Sequence, residues 1–193
     1  GPQKAFLGSQ NASATNHIFA LLARDLLGLN VKVVSGYPGA APIFLAMQQA
    51  EVDGQIIGYA STRAGQRDLW EKGALRPLVQ FGRIDRLSAM ADVPTGRELI
   101  QDENALKLLE FAEMPFFMAM PYAAPVGVPG ERVEALQTAF ASMCADAVFL
   151  AEARQLGLEI SPIDGKRVLE LIADAAATPR DVVERYNALV LDK

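Results

Sequence analysis

Apolar positions recur along this chain in two rhythms. Up to about residue 115, short apolar runs alternate with stretches of helical spacing; beyond it, helical spacing dominates. Lys4-Ala5-Phe6-Leu7-Gly8 is an apolar run that stops at small polar residues, which predicts a buried strand. The polar loop Gln10–Thr15 follows, rich in capping residue types. Ile18, Phe19, Leu22, Leu26 and Leu29 then recur at helical spacing, with Gly28 marking the stop. Val31–Ser35 reads as a second, β-branched strand. Gly36-Tyr37-Pro38-Gly39-Ala40 turns it into a helix that starts near Gly39, carries Ile43, Leu45, Ala46 and Met47, and ends near Ala50. Asp53-Gly54 leads into a third strand, Gln55–Tyr59. Ala60–Glu71 reads as one helix and Arg76–Phe81 as a fourth strand. Strands that alternate with helices favour an α/β fold with a parallel sheet and helical crossovers.

Farther along, Thr95-Gly96-Arg97-Glu98 matches a capping box, so a short helix is expected there. Pro115–Ala124, with Phe116, Phe117, Met118 and Met120, reads as a buried strand that Pro125–Gly130 ends. Val133, Leu136, Phe140 and Met143 share one helical face; Phe149, Leu150, Ala153 and Leu156 share another. Val168, Leu171, Ile172 and Ala175 make a third stripe. Thr178 as N-cap, Pro179 as first helical residue and Asp181 open a last helix through Tyr186.

Composition narrows the chemistry. The chain has a net charge of −5 with both signs interspersed, which is unlike a nucleic-acid footprint of clustered Lys and Arg. No apolar run approaches the roughly 18 residues that a membrane helix requires. Cys144 is the sole cysteine and His17 the sole histidine, so an intramolecular disulfide and a His-rich metal site are both excluded. The G-x-S-x-G elbow and the phosphate-loop pattern are missing, and no metal, cofactor or catalytic residue is expected. His17 and Cys144 read as structural residues. Gly1-Pro2 reads as the remnant of a cleaved purification tag.

The strand-to-helix turns carry the candidate chemistry. Gly36, Tyr37, Gly39 and Ala40 bracket a helix start, where N–H groups lack intrahelical partners and the dipole favours an anion. Pro38 has no N–H, so donors there come from Tyr37, Gly39, Ala40 and Ala41. Ser9, Gln10, Asn11, Ser13 and Thr15 form the preceding loop, which reads either as a carboxylate-binding loop or as an ordinary helix N-cap. Tyr59, Ser61 and Thr62 follow the third strand. In a parallel sheet all three loops reach the same edge, outside the carboxyl ends of the strands. Tyr59 either walls that site or is a buried tyrosine with an unrelated bond; Arg63 reads as a solvated arginine.

The segments Val33–Gly39, Ala50–Gly54, Arg76–Gln80, Ala91–Thr95, Ala124–Pro129 and Ala177–Pro179, in this order, resemble the solute-receptor family of bacterial tripartite tricarboxylate transporters. Gln10 and Asn11 stand where that family's first loop is richer in glycine. The resemblance implies a type II periplasmic binding fold that closes over a small organic acid, such as a di- or tricarboxylate, and presents it to a membrane permease. It implies a periplasmic location, no reaction, and a first lobe built mostly by chain preceding the strand at Phe6. On that basis residues 1–115 are the second, ligand-binding lobe. Residues 116–193 are a hinge-crossing strand and C-terminal helices of an incomplete first lobe. Uncovered stripes on those helices would favour a homo-oligomer. A sensor or interaction module derived from this lobe, without transport, is the alternative.

Overall fold

The computed structural model describes residues 4–156, 158 and 160–191, so Gly1-Pro2-Gln3 lies outside the described residues. It has a small parallel sheet wrapped by helices. Strand β1 (Ala5–Gly8) leads through α1 (Thr15–Leu26) to β2 (Val31–Val34), and then through α2 (Ala40–Gln48) to β3 (Gly54–Gln55). The spatial order is β2-β1-β3, all parallel, with Gly8 beside Val34 on one flank and Gln55 on the other. Gly8 is a packing requirement: a Cβ there would stand 2.5 Å from the Ile43 side chain, so α2 lies directly on the sheet.

Three expected strands are shorter than predicted or absent. β3 has two residues, not five, because its partner β1 ends at Gly8; Ile56–Gly58 therefore leave the sheet and Tyr59 opens the next helix. Arg76–Phe81 is a loop with a single bridge, Gln80 to Thr95. Pro77 lacks a ladder donor. The buried Gln80 side chain also satisfies the loop from inside: its amide donates to the Met90 and Val93 carbonyls and its oxygen accepts from Leu87 N–H. The expected helix Ala60–Glu71 is broken at Gln66 into α3 (Tyr59–Gly65) and α4 (Arg67–Glu71).

The Thr95 capping box is present and opens α5 (Gly96–Leu99). Helix α6 (Glu103–Phe117) then runs through Pro115, so the strand expected at Pro115–Ala124 does not form. Helical packing takes precedence there because Leu108, Leu109 and Ala112 extend the stripe to Phe116, whose ring meets Phe19 at 5.2 Å. From Ala119 onward that run, Met120 and Tyr122 included, is exposed. Helices α7 (Gly130–Ala145), α8 (Ala147–Gln155), α9 (Gly165–Ala176) and α10 (Arg180–Leu191) complete the chain. Thr178 does not act as the expected cap: its hydroxyl donates back to the Asp174 carbonyl, and the Pro179 carbonyl takes the first bonds of α10.

The main core joins Phe19 and Leu22 of α1, Leu108, Leu109 and Ala112 of α6, and Val182 of α10. A second cluster, Ile43, Ala46 and Val52, seals α2 against the sheet. At the end of α6, the fully buried Glu113 accepts from Gly82 N–H at 2.8 Å and from Arg97 at 2.7 Å. Burial pushes its carboxyl up against the pull of those two donors. Among the described residues, no single helix is long and apolar enough to cross a membrane.

Candidate ligand site at the strand ends

Because β1 and β2 run parallel in register, the loops that follow them emerge side by side. They are stitched together: Ser9 N–H donates to the Val34 carbonyl at 2.9 Å, Gly36 N–H to Gln10 at 2.9 Å, and Tyr37 N–H to Ser9 at 3.3 Å. Gly36 sits at φ 112°, a left-handed backbone that glycine adopts freely. These bonds correct one expectation. The Tyr37 amide, expected as a ligand donor, is taken by the Ser9 carbonyl, as the Gly36 amide is by that of Gln10, and the Tyr37 ring packs on the second core cluster.

The open donors lie one step further on. Helix α2 begins at Ala40 with Gly39 as N-cap, and no side chain caps it. A Cβ on Gly39 would meet only Pro42 at 3.9 Å and Gln10 Nε2 at 4.0 Å, so internal packing does not demand glycine there. Helix α1 is likewise uncapped by any side chain, with Ala14 in the cap position. The ordinary N-cap reading of Ser9–Thr15 therefore does not hold. The Ala14 carbonyl takes bonds from His17 and Ile18, which leaves Thr15 and Asn16 at the head of the helix. The Asn11 side chain accepts from Ser13 N–H at 3.1 Å and from its hydroxyl at 2.8 Å, an Asx turn that shapes the loop.

Ser9 is not an exposed donor. It is fully buried, and its Oγ lies 3.0 Å from both His17 Nδ1 and Ser35 Oγ. Ser35 Oγ is in turn 3.0 Å from the same nitrogen. Sequence reasoning set His17 aside. The signal that could have found it is the strand register, which makes Ser9 and Ser35 neighbours next to the first turn of α1. Burial, and secondarily Arg24, lower the His17 pKa, so the imidazole is neutral around pH 7.

At the end of β3, the Gln55 amide donates to the Ala40 carbonyl at 3.3 Å, which ties this strand to the head of α2. Gln55 Oε1 is buried and has no partner. Thr62 is buried and donates to the Gly58 carbonyl at 3.1 Å, a bond within its own helix. The Tyr59 hydroxyl accepts from Arg63 at 3.0 Å, and its ring meets Trp70 edge-on at 5.4 Å. Arg63 is exposed, as expected of a solvated arginine, and its guanidinium lies over both rings. Ser61 is exposed beside Gly58. Among the described residues no three His, Cys, Asp or Glu side chains gather where they could hold a metal. Two surface hollows, of about 200 and 360 Å³, lie against α6, α9 and α10 and against α2 and α4; no residue of the three loops lines either. The candidate site is an open edge.

Neither a protein-family model nor a curated protein matches the sequence. Solved structures do. A TctC solute binding protein from Polaromonas, without ligand, is 18% identical with a TM-score of 0.60 over 98% of this chain and 58% of its own. A protein of R. palustris solved with adipate is 20% identical with a TM-score of 0.57, over 98% of this chain and 56% of its own. The chain therefore has the α/β fold of the TctC type of solute-binding protein, and it spans a little over half the length of these two neighbours.

Proposed function

We propose that this chain is the ligand-binding part of an extracytoplasmic receptor that captures a small organic acid for a tripartite tricarboxylate-type permease. No chemical step follows capture. The observation that carries the reading is the pairing of two helix heads, α1 and α2, with no side-chain cap on either and their loops stitched together at one sheet edge. Backbone donors at such a place are pre-aimed, and the two dipoles add favourably toward one carboxylate. Gly39 fits the same reading, because its missing side chain answers no demand of the chain's own packing. The adipate bound by the R. palustris neighbour is an acid of the proposed class.

Titrating adipate into the 15N-labelled chain tests this. The amides of Thr15, Asn16, Gly39, Ala40 and Ala41 should shift together, while those of Gly36 and Tyr37, held by internal bonds, shift less. Saturating adipate, citrate and succinate that leave all five unmoved would overturn the proposal. Affinity should be weak for this chain alone, since a second lobe would supply much of the contact and desolvation.

A further inference from the structure

His17 stands at the junction of the two stitched loops, in the first turn of α1. Its Nδ1 is held by two hydroxyls that come from different strands, Ser9 after β1 and Ser35 after β2. The ring orientation is thereby fixed to the same framework that places the heads of α1 and α2. The other ring nitrogen, Nε2, has no hydrogen-bond partner among the described residues. The one buried and unpartnered side-chain nitrogen or oxygen among the described residues is Gln55 Oε1, so Nε2 is open to solvent.

Serine hydroxyls both donate and accept, which makes this arrangement indifferent to the charge of the ring. With a neutral imidazole, a serine can donate to Nδ1. With a charged one, Nδ1–H donates to a serine oxygen 3.0 Å away and that hydroxyl turns to another acceptor. A proton can therefore be gained or lost with no heavy atom moving.

The groups around the ring oppose the charged state in the empty protein. Ser9 and Ser35 are neutral, the start of α1 is positive, and Arg24 is the charged side chain that acts on it. Arg24 is itself paired with Asp25, and no carboxylate of the described residues acts on the ring directly. A bound anion would supply the missing counter-charge.

We infer that His17 is a ligand-contacting residue of this site, and that capture of a carboxylate draws one proton onto its imidazole, whose Nε2–H then donates to the anion. The inference rests on the carboxylate-binding reading above and adds to it: uptake of the acid is coupled to uptake of a proton. One linked proton limits the effect to about a tenfold gain in affinity per unit fall in pH, ending where His17 is already charged in the free protein.

The chain has a single histidine, so its imidazole signals need no assignment. The experiment is a pH titration of those signals in the full chain, with and without saturating adipate, beside calorimetry of adipate binding in phosphate and Tris buffers. Expected are an upward shift of the His17 titration by adipate and a binding heat whose buffer dependence reports uptake of up to one proton. His17→Gln should remove the buffer dependence and flatten the pH profile. If that variant does not fold, Ser35→Ala, which frees the ring on its exposed side, should reduce both effects. Amides of Gly39–Ala41 that move with adipate while the His17 titration stays put would overturn this inference and leave the acid-binding reading standing. Adipate, citrate and succinate that move neither would overturn both.

Discussion

Helix α1 and helix α7 each carry apolar residues at helical spacing, more sharply segregated in α1, and the structure treats them oppositely. Five consecutive residues of α1, Phe19–Ala23, are buried between the sheet, α6 and α10. None of the residues of α7 is buried, although Val133, Leu136, Phe140 and Met143 form a face. Neighbouring α8 and α9 bury one residue each, Ala153 and Leu171. An amphipathic pattern states that a face is meant to be covered; it does not say by what. In α1 the cover comes from this chain. In α7–α9 the described residues leave most of the apolar face uncovered.

The widest gap between the two regions should appear on truncation. Leu109→Ala empties a fully buried position and should cost about 2–5 kcal/mol, whereas Leu136→Ala on α7 should stay within about 0.5 kcal/mol in urea unfolding of the monomer. A large loss at Leu136 would mean that α7 is covered in solution. Light scattering extends the test: Leu136→Lys combined with Met143→Lys should shift any dimer toward monomer, and a chain that is monomeric at every concentration would contradict association through this face.

Glycines sharpen the contrast between packing and site. Gly8→Ala drives a methyl into Ile43 and should destabilise by about 1–3 kcal/mol. Gly39→Ala meets nothing closer than 3.9 Å, so stability should hold while adipate-induced amide shifts at α2 fall. Loss of stability at Gly39, or unchanged ligand response, would move that residue from the site into the scaffold.

The smallest effect concerns acid. The Arg86 guanidinium, helped by Thr95 N–H, lowers the Glu98 carboxyl from 4.5 to about 2. Its contribution to folding is complete above the unfolded value and is lost as pH falls from 4.5 toward 2. Glu113 runs the other way: burial raises it, so the fold binds its proton more tightly than the unfolded chain does. Stability from that group therefore grows as pH falls through its raised folded value. Glu98→Gln should blunt the acid loss between pH 4.5 and 2 in thermal melts, and an unchanged pH profile would place the loss elsewhere.

Local chemistry wrote much of this into the sequence. Lys4–Gly8 and Val31–Ser35 had the run length and branching of strands, and Ala5–Gly8 and Val31–Val34 form them. Thr95 and Glu98 held a complete capping box, and it forms. The turn at Gly36–Ala40 located the start of α2, which begins at Ala40 after Gly39. What only the tertiary structure decided is which partner each group takes. Ile56–Tyr59, Arg76–Phe81 and Pro115–Ala124 were all apolar enough to be strands, yet a strand exists only where a neighbour of matching length offers its edge. β1 was too short for the first, buried Gln80 organised the second, and the core claimed the start of the third for α6. The same held at the site. Composition gave Ser9 and His17 their donors and acceptors, but only register brought them together with Ser35, because hydrogen bonds between residues far apart in the chain depend on distances that a sequence does not contain.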